Sequence, residues 1–162
     1  VVRLRWYRAA PPPDLPVRQV HGFLFAPDGR AFLRVDGARH GLPGGKRELE
    51  DADPAATLRR ETWEEVTLEI GAPRYLGYQL VVDGGTHRYA QVRMVALITR
   101  IHPVSPDPDN GRTYRRLLVD PRRVGDLLGW GRRGSRQAAA ARQRAVVEFA
   151  LPTLDLPPDG EV

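Results

Sequence analysis

The sequence predicts an α/β fold in which a mixed β-sheet lies between helices. Three observations carry that expectation. Apolar segments with strand character fall before residue 36 and again between residues 73 and 119, each cut by turn residues. A helix announces its own start at Asp53-Pro54. A second helix is written in the alanine spacing of residues 137–149. Strands, helix, strands, helix is the order of a layered α/β sandwich.

Val1 to Tyr7 reads as a first strand, and Ala9-Ala10-Pro11-Pro12-Pro13 breaks it as a stiff linker. Val17 to Phe25 is apolar and rich in strand formers. Pro27-Asp28-Gly29-Arg30 turns the chain and Ala31 to Val35 answers, so the two segments read as a hairpin of core strands. Asp53 can cap free backbone N–H groups, and Pro54 loses nothing at a first helical position; good helix formers follow, so a helix is expected from Pro54 to Val66. Pro73 to Val82 reads as a strand, then Asp83-Gly84-Gly85-Thr86 as a turn. Tyr89 to Ile98 is the strongest strand of the chain, with Gln91 and Arg93 on one face. Pro103 to Gly111 is a loop too polar to pack in a core. Tyr114 to Val119 reads as a strand and Val124 to Leu128 as a short helix or turn. From Gln137 to Phe149, Ala138, Ala141, Ala145 and Phe149 step by three and four and form one buried stripe. Residues 1–162 read as a single domain, with 1–16 a strand and Pro-rich linker and the Pro- and acid-rich tail 152–162 expected to fray.

The chemistry concentrates in Gly41-Leu42-Pro43-Gly44-Gly45 and in Arg60-Glu61-Thr62-Trp63-Glu64-Glu65. On the Pro54–Val66 helix, Glu61, Glu64 and Glu65 sit at i, i+3 and i+4, so the carboxylates share an arc of roughly 100°. Three like charges on one face call for something positive. Arg59 and Arg60 are one source; a hard divalent cation with oxygen ligands is another. Taken alone, such a face is most simply a solvated acidic surface. The glycine-rich turn upstream argues for a site.

Together these residues resemble the Nudix box of the Nudix hydrolases. Gly45 matches the first glycine of the pattern, and Arg60, Glu61, Glu64, Glu65 and Leu68 match later positions. Three places depart. The loop between Gly45 and Arg60 carries one extra residue, Thr62 stands at an aliphatic position, and Thr67 replaces the second glycine. The middle acid of the box falls on Asp51 counting forward and on Ala52 counting back.

The resemblance implies an α/β/α sandwich with the box as a loop–helix–loop. It also implies a Mg²⁺- or Mn²⁺-dependent hydrolase that cleaves the pyrophosphate linkage of a nucleoside diphosphate joined to another group. The implied metal ligands are Glu61, Glu64, Glu65, the backbone oxygen of Gly45 and a later acid, for which Asp107 and Asp109 are best placed and Asp109 is chosen. One of the glutamates, or a loop carboxylate, would act as general base. Arg60 would orient the glutamates, and Arg93 and Gln91 would contact substrate. The rival reading is a catalytically weak Nudix-fold module that binds nucleotides or regulates.

Composition sets the outer bounds. With 41% hydrophobic and 28% charged residues the chain is globular in character. The net charge is +5 and Lys46 is the only lysine, so the basic charge is almost all arginine, whose fork suits phosphate. The absence of cysteine excludes disulfides, thiolate catalysis and cysteine zinc sites, and suits a cytoplasmic location. His21, His40, His87 and His102 have no ligand spacing. A small-molecule nucleotide is the expected partner, with no membrane. Nucleic acid is disfavoured because the C-terminal arginines lack interleaved aromatics. A homodimer stays open.

Overall fold

The computed structural model describes all 162 residues. One mixed sheet runs β1-β7-β8-β2-β3-β9-β10, with three short strands attached at its sides. Its strands are β1 (Val2–Tyr7), β2 (Val17–Phe25), β3 (Ala31–Asp36), β4 (Arg39–Gly41), β5 (Gly44–Lys46), β6 (Leu68–Ile70), β7 (Arg74–Asp83), β8 (His87–Ile101), β9 (Arg115–Val119) and β10 (Gly160–Glu161). The helices are α1 (Pro54–Val66), α2 (Val124–Leu128) and α3 (Gly131–Phe149).

Alternation on the central strands builds two cores. Ala90, Val92, Met94, Ala96 and Ile98 of β8 join Val20 and Leu24 of β2 and Leu58 and Val66 of α1. The intervening Val95 joins Phe23, Phe25 and the stripe Ala138, Ala141 and Ala145 of α3 on the other face. A period of two on each strand thus serves a helix on each side. β2 and β8 are parallel, and every other pairing is antiparallel.

The hairpin expected of β2 and β3 is only a corner. The two pair at Phe25↔Ala31, and then β2 leaves β3 and pairs β5 through Gln19, Val20 and His21. This parting places Arg34 of β3 and Gly41–Leu42 across a gap from Gln19 and His21 of β2, and a cavity of about 380 Å³ fills it.

Three expectations need correction. The tail does not fray: β10 pairs β9, Val162 N–H donates to Arg116 C=O at 3.0 Å, and Asp159 accepts the Asp120 N–H at 2.9 Å. The polar composition of the tail hid these bonds, which are to backbone and to arginines. The 103–111 loop also buries one acid, because Asp107 is 5% exposed. It accepts from Asp109 N–H and from the Asn110 amide, so the turn satisfies it internally. Helix α3 starts six residues before Gln137, through Gly131 and Gly134, residues with weak helix preference that gave no signal.

Candidate active site

Helix α1 begins as its sequence dictates. The Asp53 side chain accepts the Ala56 N–H at 2.8 Å, and Pro54 fills the first position. It ends at Thr67, which takes left-handed backbone (φ 51°) and donates its N–H to Trp63 C=O. Glycine adopts that conformation freely, and a β-branched residue does not. Thr67 keeps the cap even so. Its hydroxyl donates to Pro103 C=O at 3.1 Å, and the buried Arg116 guanidinium donates to Val66 C=O at 3.0 Å.

Strand β5 threads between β2 and α1 because residues 44 and 45 lack side chains. Gly44 has φ 143°, and a Cβ there would lie 2.2 Å from Val20 C=O. A Cβ on Gly45 would lie 2.5 Å from Glu61 Oε1. Glycine therefore brings the turn backbone against the helix carboxylates.

Arg60 is the hub of the arrangement. Its Nε and Nη2 grip both oxygens of Asp51 at 3.1 and 2.9 Å, and Nη2 also donates to Lys46 C=O at 2.9 Å. Its Nη1 donates to Glu61 at 3.2 Å and Glu64 at 3.1 Å. Asp51 in turn accepts the Thr57 hydroxyl and the Glu48 N–H, each at 2.9 Å. The Arg60 fork, more than any other contact, holds the Asp51 carboxyl well below the usual range. Asp51 is buried and Ala52 exposed, so the register of the box is settled. The extra loop residue bulges outside while the acid stays inside.

Glu65 faces the other way. It accepts the Gly44 N–H at 3.1 Å and pairs with Arg34 of β3 at 2.6 Å. Burial still wins over both partners and pushes its carboxyl up to about 7. Burial also raises Glu61 and Glu64, against the pull of Arg60. The charge of Asp109 adds a smaller upward push to both. Asp109 is exposed, whereas Asp107 is spent on its own turn.

The structure thus brings Gly45, Arg60, Glu61 and Glu64 together, turns Glu65 toward Gly44 and Arg34, and leaves Asp109 exposed with no hydrogen bond or ion pair to them. No three of the acids and histidines converge closely enough to encircle an ion. Glu61 and Glu64 lean on Arg60, and Glu65 leans on Arg34.

Arg93 and Gln91 lie on the α3 side of β8 and line the cavity between β2 and β3. Arg93 is 3% exposed rather than displayed on an open strand face. It donates to Gln137 at 3.1 Å, to His21 Nδ1 at 3.2 Å and to Gln91 at 3.3 Å. Sequence reasoning missed Arg34, His21, Gln19, Gln79, Gln137 and Arg133. Arg34 left one trace, a lone charge inside the apolar run Ala31 to Val35. Of the aromatics, Trp130 reaches this cavity, within 5.7 Å of Arg93, while Trp6 packs against the α3-side core. Tyr89 lines a larger cavity of about 780 Å³ beside Lys46 and Glu48, with Arg18 over its ring.

The NUDIX domain family model matches residues 15–130. Among solved structures, a point mutant of the Bacillus subtilis pyrophosphohydrolase BsRppH superposes with a TM-score of 0.53 at 18% identity, over 61% of each chain. A MutT from work on Aliivibrio salmonicida and Vibrio cholerae gives 0.54 at 16% identity, over 75% of this chain and 94% of that one. A putative nudix hydrolase family member from Chromobacterium violaceum gives 0.54 at 25% identity, over 86% and 92%. The chain therefore spans about three fifths of the B. subtilis protein and most of the other two. None of the curated proteins matches it.

Proposed function

This chain belongs to the Nudix family, and from that premise we propose that it is a divalent-metal-dependent hydrolase of pyrophosphate linkages. The expected substrate is a nucleoside diphosphate joined to another group. One observation carries the reading: Arg60, anchored on Asp51, holds Glu61 and Glu64 on the edge of α1 where Glu61 meets the Gly45 backbone. That a structural neighbour is named a pyrophosphohydrolase supports it.

The donor set fits Mg²⁺ or Mn²⁺. Every candidate ligand is an oxygen, as hard divalent cations require. Burial raises Glu61, Glu64 and Glu65 above their ordinary values against the pull of the nearby arginines, and a bound cation would favour their charged forms. Gly45 is bare where a side chain would block its approach to Glu61. Glu61, Glu64 and Glu65, the Gly45 backbone oxygen and Asp109 would hold the ion. When bound, it neutralises phosphate charge and acidifies a water for attack on phosphorus.

The chain's own residues do the rest. Arg60 is a positioning residue: it fixes two carboxylates and is itself fixed by Asp51 and Lys46 C=O. One of the glutamates, or a loop carboxylate, would accept the proton of the attacking water. Arg93 and Gln91 bind the part of the substrate that does not react.

A panel of nucleoside diphosphate derivatives, assayed for phosphate-bearing products with Mg²⁺, Mn²⁺ or EDTA, tests the proposal. Turnover that vanishes in EDTA and returns with metal supports it. Tight nucleotide binding without turnover of any panel member would assign the chain to the rival class of binding modules.

A further inference from the structure

The cavity between β2 and β3 is lined by three arginines and by no acid. Arg34 has Glu65 as a partner, but Arg93 and Arg133 have no carboxylate within ion-pair distance. A buried guanidinium without a counter-charge is unfavourable, and burial pulls the Arg93 pKa down to about 10, with Arg133 adding repulsion. The molecule therefore carries two like charges around one cavity and nothing of opposite sign.

The hydrogen bonds point the same way. Gln137 donates to Gln79, Gln79 to Gln91 and Gln91 to Gln19, each through its amide nitrogen. Arg93 donates to Gln137, Gln91 and His21 Nδ1. The amide oxygens of this relay are thereby occupied, and so is the acceptor nitrogen of His21. What is left to meet a ligand is almost entirely donors: two N–H bonds of Arg93 and the amide nitrogen of Gln19. The Nε–H groups of Arg34 and Arg133 are buried and also have no hydrogen-bond partner. Buried donors without acceptors are rare and need a reason.

We propose that this cavity is a second phosphate subsite, which takes a phosphoryl group borne by the non-reacting part of the substrate. The proposal deepens the pyrophosphohydrolase reading and rests on it for the word substrate. The charge count chooses phosphate over carboxylate, since a phosphate monoester carries close to two negative charges near neutral pH and meets two uncompensated arginines. Donor forks on planar guanidinium groups suit its oxygens. A nucleobase is the poorer fit, because bases present donors as well as acceptors and this pocket has few acceptors to offer. Arg34 joins the two halves of the site: it lines the cavity and holds Glu65 of the carboxylate cluster. The substrate class follows: a diphosphate-linked compound with a further phosphate on the group distal to the bond that breaks.

The test is binding of inorganic phosphate, sodium acetate and guanosine to the metal-free full chain in EDTA, by calorimetry. Phosphate should bind best. Arg133→Gln should weaken it by at least about tenfold, the worth of one charge-assisted contact. Arg93→Gln should weaken it further, and Glu64→Gln should leave it unchanged, since binding here needs no metal. If Arg93→Gln fails to fold, Arg133→Gln decides alone. No phosphate binding, equal binding by Arg133→Gln, or tighter binding of acetate or guanosine would each overturn the subsite. None of these results bears on metal-dependent turnover, so the two readings fail separately.

Discussion

Two arginines of this molecule, one half-buried and one buried, keep opposite company. Arg60 has four acids around it, Asp51, Glu61, Glu64 and Glu48. Arg93 has none, only glutamines and a neutral histidine whose pKa burial holds well below its ordinary value. The same side chain serves two ends. Ringed by acids, it is a structural clamp that shapes a carboxylate cluster. Ringed by neutral groups, it keeps its charge for something that arrives. Local charge balance, rather than residue type, separates scaffold from binding group here.

The largest effect should come from the carboxylate cluster on α1. Glu61→Gln or Glu65→Gln keeps the side-chain volume and removes charge. Turnover should fall by roughly a thousandfold, since metal stabilisation of the transition state is worth several kcal/mol. For Glu61→Gln the melting temperature without metal should stay level or rise, because like-charge repulsion is relieved, whereas Glu65→Gln also takes the partner from Arg34 and should gain less. A variant that keeps wild-type turnover would remove that residue from the mechanism.

Next, the two arginines should answer differently to removal. Arg60→Ala strands Asp51 in a buried site and should cost roughly 3 kcal/mol of stability. Arg93→Gln should cost about 1 kcal/mol, as lost hydrogen bonds are offset by removing an unpaired buried charge. Denaturant melts in EDTA read both. Equal losses would erase the distinction drawn between the two regions.

The pH profile sharpens the same contrast. Glu65, and to a lesser degree Glu61 and Glu64, bind protons more tightly folded than unfolded. Stability of the metal-free protein should therefore rise as pH falls from about 7 toward about 5. Asp51 has the opposite sign: its depressed pKa contributes stability above its unfolded value of 3.8, and that contribution is lost on further acidification. Thermal melts in EDTA should peak near about pH 5, and saturating Mn²⁺ should remove the decline on the alkaline side. A metal-free curve that climbs steadily to neutrality would show that the glutamates are not strained by burial.

The smallest effect belongs to Thr67. Thr67→Gly relieves about 1–2 kcal/mol of left-handed backbone but gives up hydroxyl bonds and gains chain entropy in the unfolded state. The net change should stay within about 1 kcal/mol, measured by denaturant melts. A large loss would mean that the threonine side chain holds the helix end together.

Much of this was legible beforehand, for local reasons. Asp53-Pro54 fixed the start of α1 through a cap and a missing donor, both sequence-local. Alternation named the faces of β8, and small-residue spacing named the buried stripe of α3. The short strands β4, β5, β6 and β10 left no signal, because two or three residues cannot show a period. Of the site, the clamp was readable in outline: the arginine and its glutamates share one helix. Whether Asp51 or Ala52 faced inward needed the fold, since an extra residue lets the loop bulge either way. The cavity was unreadable apart from Arg93 and Gln91. Gln19, Gln79, and the pair Gln137 and Arg133 come from three separate elements, and only the register of β7, β8 and β2 under α3 brings them to one cavity.

Metal binding by the carboxylate cluster is the centre of the account, and it can be measured without knowing the substrate. Mn²⁺ titrated into the full chain, with free ion followed by electron paramagnetic resonance, should bind to the wild-type protein and bind at least about tenfold more weakly to Glu61→Gln and Glu65→Gln, while Arg93→Gln binds as wild type. Equal Mn²⁺ affinity in the wild type and both glutamate variants would contradict it.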